Sequence, residues 1–212
     1  STTIRQRIPP TILLASAALL VNFAVGVLVG AVQGFRRHSR VDDGLTVITL
    51  ALYSMPIFWL GLMLVLVFAI DLGWFPPSGL RTEWMYPGLS FTAAVRDHAT
   101  HLFLPALTLG LAGAAATARF QRGAMRDVII QDFVRTARAK GLTEHAVLLR
   151  HALRNALLPT ITLLGLSLPI LLSGAVLVED VFAWPGLGSL AVDAFRNRDY
   201  PLVTGLAIIV AA

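Results

Sequence analysis

Long apolar blocks alternate with short polar segments along the chain. A helix needs about 20 apolar residues to cross about 30 Å of membrane hydrocarbon. Four blocks reach that scale, and a fifth begins near residue 200 and runs to the end of the sequence. The pattern therefore predicts an all-α integral membrane protein, a helical bundle. Its membrane-spanning segments are predicted at about residues 10–34, 45–70, 102–122, 156–178 and 200–212.

The basic residues predict the orientation of these spans, because loops rich in Lys and Arg face the cytoplasm. The segment after the first block carries Arg36, Arg37 and Arg40, and the long segment 123–155 is also rich in arginine. Both segments then face the cytoplasm, which places Ser1 outside. One further span before Ser1 would give about six spans in full, with about five visible here. We expect a single transmembrane domain, 1–212, that is truncated at both ends.

Small residues and prolines within the blocks predict how the helices pack. Gly26, Gly30 and Gly34 form a ladder with a spacing of four, which lets two helices approach closely. The ladder suits either a subunit interface or ordinary packing within one bundle, and we favour the latter. Pro56 and Pro169 lie inside two of the spans, where each removes a backbone donor and should kink its helix.

The amino-acid composition excludes several classes of function. The chain is 56% hydrophobic and 14% charged, whereas soluble domains carry about 25% charged residues. Cysteine is absent from the sequence, so it offers no disulfide, thiolate metal site or thiol nucleophile. The phosphate-binding pattern GxxxxGK[ST] is also absent, so this chain has no visible P-loop, and any ATP that drives it must bind another subunit. We predict no enzyme activity, no cofactor in this chain and no nucleic-acid partner.

Histidines raise the possibility of a metal site. Asp97, His98 and His101 are close in sequence, and imidazole is a good ligand for nickel. A His-x-x-His pair at a membrane boundary is more often interfacial than ligating. His145 and His151 are six residues apart and fall on different helix faces. We therefore predict no metal site.

The basic segment 123–155, called the shelf below, predicts two short helices. From Arg126 to Lys140 the pattern is helical, and Gly141 follows as a C-terminal cap in the left-handed region. Apolar residues of this first helix recur at i, i+3, i+4 and i+7. They are Ile130, Phe133, Val134 and Ala137.

The second helix of the shelf begins after Gly141. Thr143 can cap it, with Glu144 in its first turn. Ala146, Leu149 and Leu153 would then share its apolar face. The sequence thus predicts two short helices joined by glycine, lying beneath the membrane.

The shelf resembles the EAA coupling loop of ABC importer permeases, specifically the dipeptide/oligopeptide (and nickel) permease family. In that family an acid-Ala-Ala stretch, a glycine and a short helix dock into a cleft of the ATPase subunit. The match here reads RTARAKG at 135–141, followed by HALRN at 151–155. Arg135 and Thr136 replace the general Glu and Ala, and Arg154 replaces a Pro. These departures favour the peptide branch and leave no equivalent of the general family's Glu.

Three other stretches resemble the same family. EDVFAWPGLG at 179–188, followed by RDYPLV at 198–203, is similar to its outer re-entrant segment and the next span. PIFWLG at 56–61 and GWFPPSG at 73–79 are also similar. The resemblance covers nearly the whole sequence in the expected order.

The resemblance implies an ABC type I importer permease fold and a permease subunit that moves di- or oligopeptides across the bacterial inner membrane. Its implied partners are a second homologous permease, two ATPase subunits carrying ATP and Mg, and a periplasmic or lipid-anchored solute-binding protein. Import of nickel or another small solute is the alternative within the family. A passive channel and a proton-coupled carrier are alternatives outside it.

The resemblance also implies site residues. Those that would contact the ATPase are Arg135, Thr136, Ala137, Arg138, Ala139, Lys140, Gly141, Leu142, Thr143, Glu144, His145, Val147, Leu148, Arg150, His151 and Arg154. Those of the outer re-entrant segment are Glu179, Phe182, Trp184, Pro185, Gly186 and Gly188.

Overall fold

The computed structural model describes residues 2–36, 39–82 and 90–211, with the side chains of all but Thr2, 167–174 and 209–211. The described residues form helices joined by turns and contain no strand, so the predicted all-α class is confirmed. The helices are α1 Thr2–Phe35, α2 Arg40–Ser54, α3 Ile57–Leu64, α4 Phe91–Ile129, α5 Asp132–Ala139, α6 Glu144–Ala146, α7 Arg154–Val181, α8 Leu187–Arg196 and α9 Tyr200–Ala211. Two π-helical segments, Val65–Asp71 and Val147–Leu153, follow α3 and α6.

Several helices are long and apolar enough to cross a membrane. Among the described residues, Thr3–Phe35 and Phe91–Ile129 meet both criteria, and α2 with α3 and its π-helical extension gives a third if the bent pair is one span. Helix α7 has 28 residues. At about 1.5 Å per residue it is also longer than the roughly 30 Å of hydrocarbon.

The helices extend past the apolar blocks. Helix α4 begins at Phe91 and ends at Ile129, whereas the apolar block covers only 102–122. The first residues of the shelf, which we assigned to a loop from 123, therefore still belong to α4. Hydropathy shows which residues suit hydrocarbon, but a helix ends only where its backbone is capped or broken.

The second apolar block is broken at Pro56. Helices Arg40–Ser54 and Ile57–Asp71 meet at an angle of 107°. Met55 and Pro56 are both extended, with ψ of 132° and 133°. Proline cannot donate a helical hydrogen bond and forces its predecessor out of the helical region. The kink that Pro56 predicts within the span 45–70 is confirmed. The side chain of Pro169 lies outside the described part of the structure.

One compact unit draws on Ser1–Ala18, Pro56–Leu109 and Pro169–Ala212. Its core contains the fully buried rings of Phe182 and Trp184. Gly61 lets α3 approach Phe182 closely, because a Cβ there would lie 3.2 Å from that ring. Phe75 and Phe103 stack with their ring centroids 4.5 Å apart.

A second compact unit draws on Leu19–Met55 and Gly110–Leu168. In it the glycine ladder of α1 packs against α4 of the same chain. A Cβ at Gly26 would lie 2.6 Å from Cβ of Thr117, and one at Gly34 would lie 2.5 Å from Cβ of Met125. The ladder therefore serves packing within one bundle.

Candidate functional site

The first helix of the shelf is shorter than the sequence predicts. The chain leaves the helix after Ile129, and Gln131 is extended with ψ of 151°. Helix α5 begins at Asp132, whose charge suits a helix N-terminus. The single helix that we predicted from Arg126 to Lys140 is therefore wrong, and the sequence contains no proline or glycine that marks the break.

The apolar face of α5 is only half buried. Val134 and Ala137 pack with Val147 in a small buried cluster. Ile130 and Phe133, which we predicted on the same face, are 58% and 42% exposed. Ile130 lies in the break before α5. Because the break interrupts the helix, the i, i+3, i+4 spacing no longer places Ile130 on the buried face of α5.

The turn after α5 matches its prediction. Gly141 has φ of +80°, in the left-handed region that favours glycine. Its N–H donates to the carbonyl of Arg138 at 2.9 Å. Thr143 then caps α6, its hydroxyl accepting from the N–H of Ala146, and Glu144 occupies the first turn. The glycine cap and the threonine cap are both confirmed.

The second helix of the shelf buries a different face from the one predicted. Val147 and Ala152 are fully buried, while Leu149 is exposed. Leu153 packs against the cluster that includes Ala152, and Ala146 is half-buried. Because Val147–Leu153 is π-helical, with i→i+5 hydrogen bonds, residues five apart share a face. The α-helical spacing that we assumed was wrong here.

An ion pair joins the two halves of the shelf across the glycine turn. Arg138 donates from Nε and Nη2 to the two carboxylate oxygens of Glu144, at 3.0 and 2.7 Å. The hydrogen bond from Arg138 lowers the pKa of Glu144 below its ordinary value. The same bond raises the pKa of Arg138. We placed both residues at the coupling surface but did not predict that they pair.

The remaining coupling residues divide between surface and interior. Ala137 and Val147 are buried, and Leu148 and His151 are half-buried. The others form an exposed surface in the second unit, consisting of Arg135, Thr136, Arg138, Ala139, Lys140, Gly141, Leu142, Thr143, Glu144, His145, Arg150 and Arg154. This surface is strongly basic and carries exposed apolar side chains beside its charges.

A polar network in the second unit, close to the start of α2, was missed from sequence. Arg122 of α4 donates to the buried carboxylate of Asp42 at 2.7 Å. Gln33 of α1 donates to Thr46 at 3.0 Å, and Thr46 donates to the carbonyl of Asp42 at 2.7 Å. The network joins three helices. Its members are distant in sequence, so no local pattern reveals it.

The outer segment is organised around Glu179, in the last turn of α7. Its carboxylate is buried and accepts from the hydroxyl of Thr11 at 2.7 Å and from the N–H of Ser189 at 2.9 Å. Trp184 donates from its indole nitrogen to the carbonyl of Pro10 at 3.0 Å. In the first unit, these bonds fasten the segment after α7 to the start of α1.

The glycines of the outer segment leave room for that carboxylate. A side chain at Gly186 would overlap the carboxylate of Glu179, and a Cβ at Gly188 would lie 2.5 Å from Cα of Val176. Phe182 is buried and Pro185 half-buried. Helix α8 starts next to Gly186, so the carboxyl group of Glu179 lies at its N-terminus and accepts from the N–H of Ser189. Every predicted outer residue thus lies in or beside one packed turn.

The histidines near the start of α4 make bonds of their own. His98 and His101 are each bonded through Nδ1 to a backbone carbonyl, of Ala94 and Asp97 respectively. The carboxylate of Asp97 accepts from both the N–H and the hydroxyl of Thr82. Across the described residues, no cluster of three or more His, Cys, Asp or Glu side chains could hold a metal ion.

The fold has a solved counterpart among ABC importers. The inward-facing MetNI methionine ABC transporter matches 98% of this chain and 89% of its own chain, with a TM-score of 0.71 and 17% sequence identity. The fold is therefore that of a type I ABC importer permease. Residues 23–212 match the family described as binding-protein-dependent transport system inner membrane component, and the chain belongs to that family.

Curated relatives extend the match to the whole chain. It is 41% identical to the oligopeptide transport system permease protein AppB of Bacillus subtilis, over 100% of the chain. It is 44% identical to the di/tripeptide transport system permease protein DppB of Pseudomonas aeruginosa, over 96% of the chain. The chain spans 65% and 64% of the lengths of these relatives. The resemblance to the peptide permeases is confirmed.

Proposed function

We propose that this chain is a permease subunit of an ATP-driven importer of di- or oligopeptides, with multiple spans in the bacterial inner membrane. The observation that carries the proposal is a shelf of two capped helices within a chain 41–44% identical to peptide permeases. Because those relatives are named for peptides, peptide import is favoured over the nickel alternative.

The proposed complex contains a second homologous permease and two ATPase subunits, which bind ATP and Mg. A periplasmic or lipid-anchored binding protein delivers the peptide. The permease itself performs no chemistry and would line a pathway with its partner. The family description, an inner membrane component of a binding-protein-dependent transport system, supports the separate binding protein.

The exposed surface of the shelf suits docking into an ATPase cleft. Phe133, Leu142 and Leu149 are large apolar side chains that remain exposed around it. Apolar side chains at the centre of a polar surface are typical of protein interfaces. The neighbouring arginines, including Arg135 and Arg150, would add charge-assisted contacts at the rim.

The shelf is placed to move two membrane helices together. It connects the end of α4 directly to the start of α7. Met125 of α4 packs in one buried cluster with Ala152 of the shelf and Ala156 of α7. Closure of the ATPases on ATP would displace the shelf. This cluster would transmit the displacement to both helices, which would move as rigid bodies from the inward-facing to the outward-facing state.

The direct test is peptide uptake by the full complex in proteoliposomes. Radiolabelled trialanine and the binding protein are added outside the vesicles, and ATP is enclosed inside them. The proposal predicts uptake that requires both ATP hydrolysis and the binding protein. Flux without ATP would indicate a channel. Uptake that a protonophore abolishes while ATP stays high would indicate a proton-coupled carrier, and either result would overturn the proposal.

A further inference from the structure

A cavity of about 540 Å³ lies in the second unit, against the exposed face of α4. Its lining includes Arg119, Phe120, Gly123 and Asp127 of α4, with Tyr53 of α2. Arg119, Gly123 and Asp127 are spaced by four, so they follow one another along a single helix face. The volume falls within the roughly 300–1,000 Å³ that is typical of small-molecule sites.

The cavity has a cation towards one end. The guanidinium of Arg119 stands over the ring of Tyr53, 5.1 Å from the ring centroid. Arg119 lies near the end of the predicted membrane-spanning segment 102–122 of α4. A charge within such a helix is costly in lipid, and it usually faces an aqueous path and marks the route of a substrate or ion.

The cavity also has an anion towards its other end. Asp127 lies eight residues after Arg119, so their backbones are about 12 Å apart along the helix axis. An extended tripeptide spans about 10–11 Å. The backbone positions that carry the two charges are therefore about as far apart as the two ends of a short zwitterionic peptide. The wall between them, at Phe120 and Gly123, is uncharged.

We propose that this cavity is a binding site for the transported peptide within the permease, which rests on the function proposed above. The α-carboxylate of the peptide binds the Arg119 guanidinium, which can hold a carboxylate with two parallel hydrogen bonds. The α-ammonium binds the carboxylate of Asp127. When no peptide is bound, the guanidinium of Arg119 contacts the ring of Tyr53 instead. Because only the termini are recognised, the site accepts peptides of differing side chains.

The test introduces one thiol into the cavity. The sequence contains no cysteine, and the Gly123 position has no atom within 4 Å of an added Cβ. The full complex is prepared with every other cysteine replaced and with Gly123→Cys, without binding protein or ATP. Alkylation by N-ethylmaleimide is then timed with and without trialanine.

At trialanine concentrations about ten times its Kd, the proposal predicts alkylation about tenfold slower than without peptide. C-terminally amidated trialanine should protect much less. Adding Arg119→Gln should remove the protection by trialanine. Arg126→Gln, an exposed arginine of the same helix that does not line the cavity, should leave it intact. Gly165→Cys on α7, which is equally open, should not be protected.

Three results would overturn the site. They are no protection of the Gly123→Cys thiol, protection that survives Arg119→Gln, or a thiol that does not react even without peptide. Uptake of trialanine by the same Gly123→Cys complex, with binding protein and ATP, is measured in parallel. Uptake without protection rejects the cavity and leaves the proposed function standing. A wild-type complex that takes up no peptide rejects the proposed function itself.

Discussion

Gly30 shows how the absence of one side chain determines how closely two helices pack. A Cβ there would overlap the carbonyl oxygen of Ala118 on α4, and it would lie 2.7 Å from Cβ of Gln121. The carbonyl oxygen of Ala118 belongs to the backbone, so it cannot move away by a rotamer change as a flexible side chain can. At this position α1 and α4 can therefore approach so closely because residue 30 is glycine.

Gly30→Ala should lower the thermal stability of the purified protein, because α1 must move away from α4. Overpacking of this kind costs about 1–3 kcal/mol. Gly44→Ala is the matched control, since no atom lies within 4 Å of a Cβ added at Gly44. The measurement is the Tm in mild detergent. Equal Tm values for the two variants would contradict the close packing.

The Arg138–Glu144 pair should stabilise the shelf in a pH-dependent way. Its side chains are 39% and 57% exposed, so solvent screening limits the pair to about 0.2–1 kcal/mol. The folded-state pKa of Glu144 is lowered, mainly by the hydrogen bond from Arg138. The stabilisation is therefore present above the pKa of the unfolded state and is lost as pH falls through the folded pKa.

A double-mutant cycle with Arg138→Gln and Glu144→Gln measures the pair directly. The coupling energy should be favourable near pH 7, where an unperturbed Glu with a pKa of about 4.3 is ionised. It should vanish once Glu144 is protonated. A coupling energy that stays constant across this titration would mean that charge does not hold the two side chains together.

At the scale of elements, local chemistry made some boundaries predictable. Gly141, Thr143 and Pro56 each act through their own backbone or side chain within a few residues, and the structure shows the cap or bend that each predicts. The break at Gln131 was not predictable, because neither proline nor glycine marks it. The π-helical segment changed the buried face of the second shelf helix in a way that α-helical spacing cannot anticipate.

Contacts between distant elements were also beyond the sequence. Glu179 and Thr11 are hydrogen-bonded although 168 residues separate them. The resemblance indicated that Glu179 belongs to the outer segment, but not that its carboxylate fastens α7 and α8 to α1. Pairing of Asp42 with Arg122 likewise depends on which helices become neighbours, which composition and periodicity do not determine.

Asp42→Asn should destabilise the packing of α2 against α4. The substitution keeps the size of the side chain but removes the charge that Arg122 contacts at 2.7 Å. A hydrogen bond to a charged group contributes about 1.5–3 kcal/mol, so we expect a clear fall in Tm.

Asp43→Asn is the control for that experiment, because Asp43 is the adjacent carboxylate and is exposed. It should leave Tm nearly unchanged. A fall in Tm of equal size in both variants would indicate a general effect of charge near the start of α2. It would contradict a specific contribution of the Asp42–Arg122 pair to stability.

At the scale of the whole molecule, one surface, the shelf, is proposed to couple ATP hydrolysis to transport. The shelf presents exposed apolar and basic side chains, and its core is continuous with α4 and α7. Fold likeness to the methionine ABC transporter establishes the architecture, while the peptide substrate is supported by relatives that are longer than this chain. Coupling through the shelf is the step on which the proposed mechanism depends.

The most direct measurement of that step is the ratio of ATP hydrolysis to trialanine uptake for complexes carrying Gly141→Val or Gly141→Asn. Valine resists the left-handed conformation that Gly141 adopts, whereas asparagine tolerates it. We expect the Gly141→Val complex to hydrolyse ATP with little uptake and the Gly141→Asn complex to recover much of the uptake. Unchanged peptide uptake by an assembled Gly141→Val complex would contradict the role of the shelf in coupling.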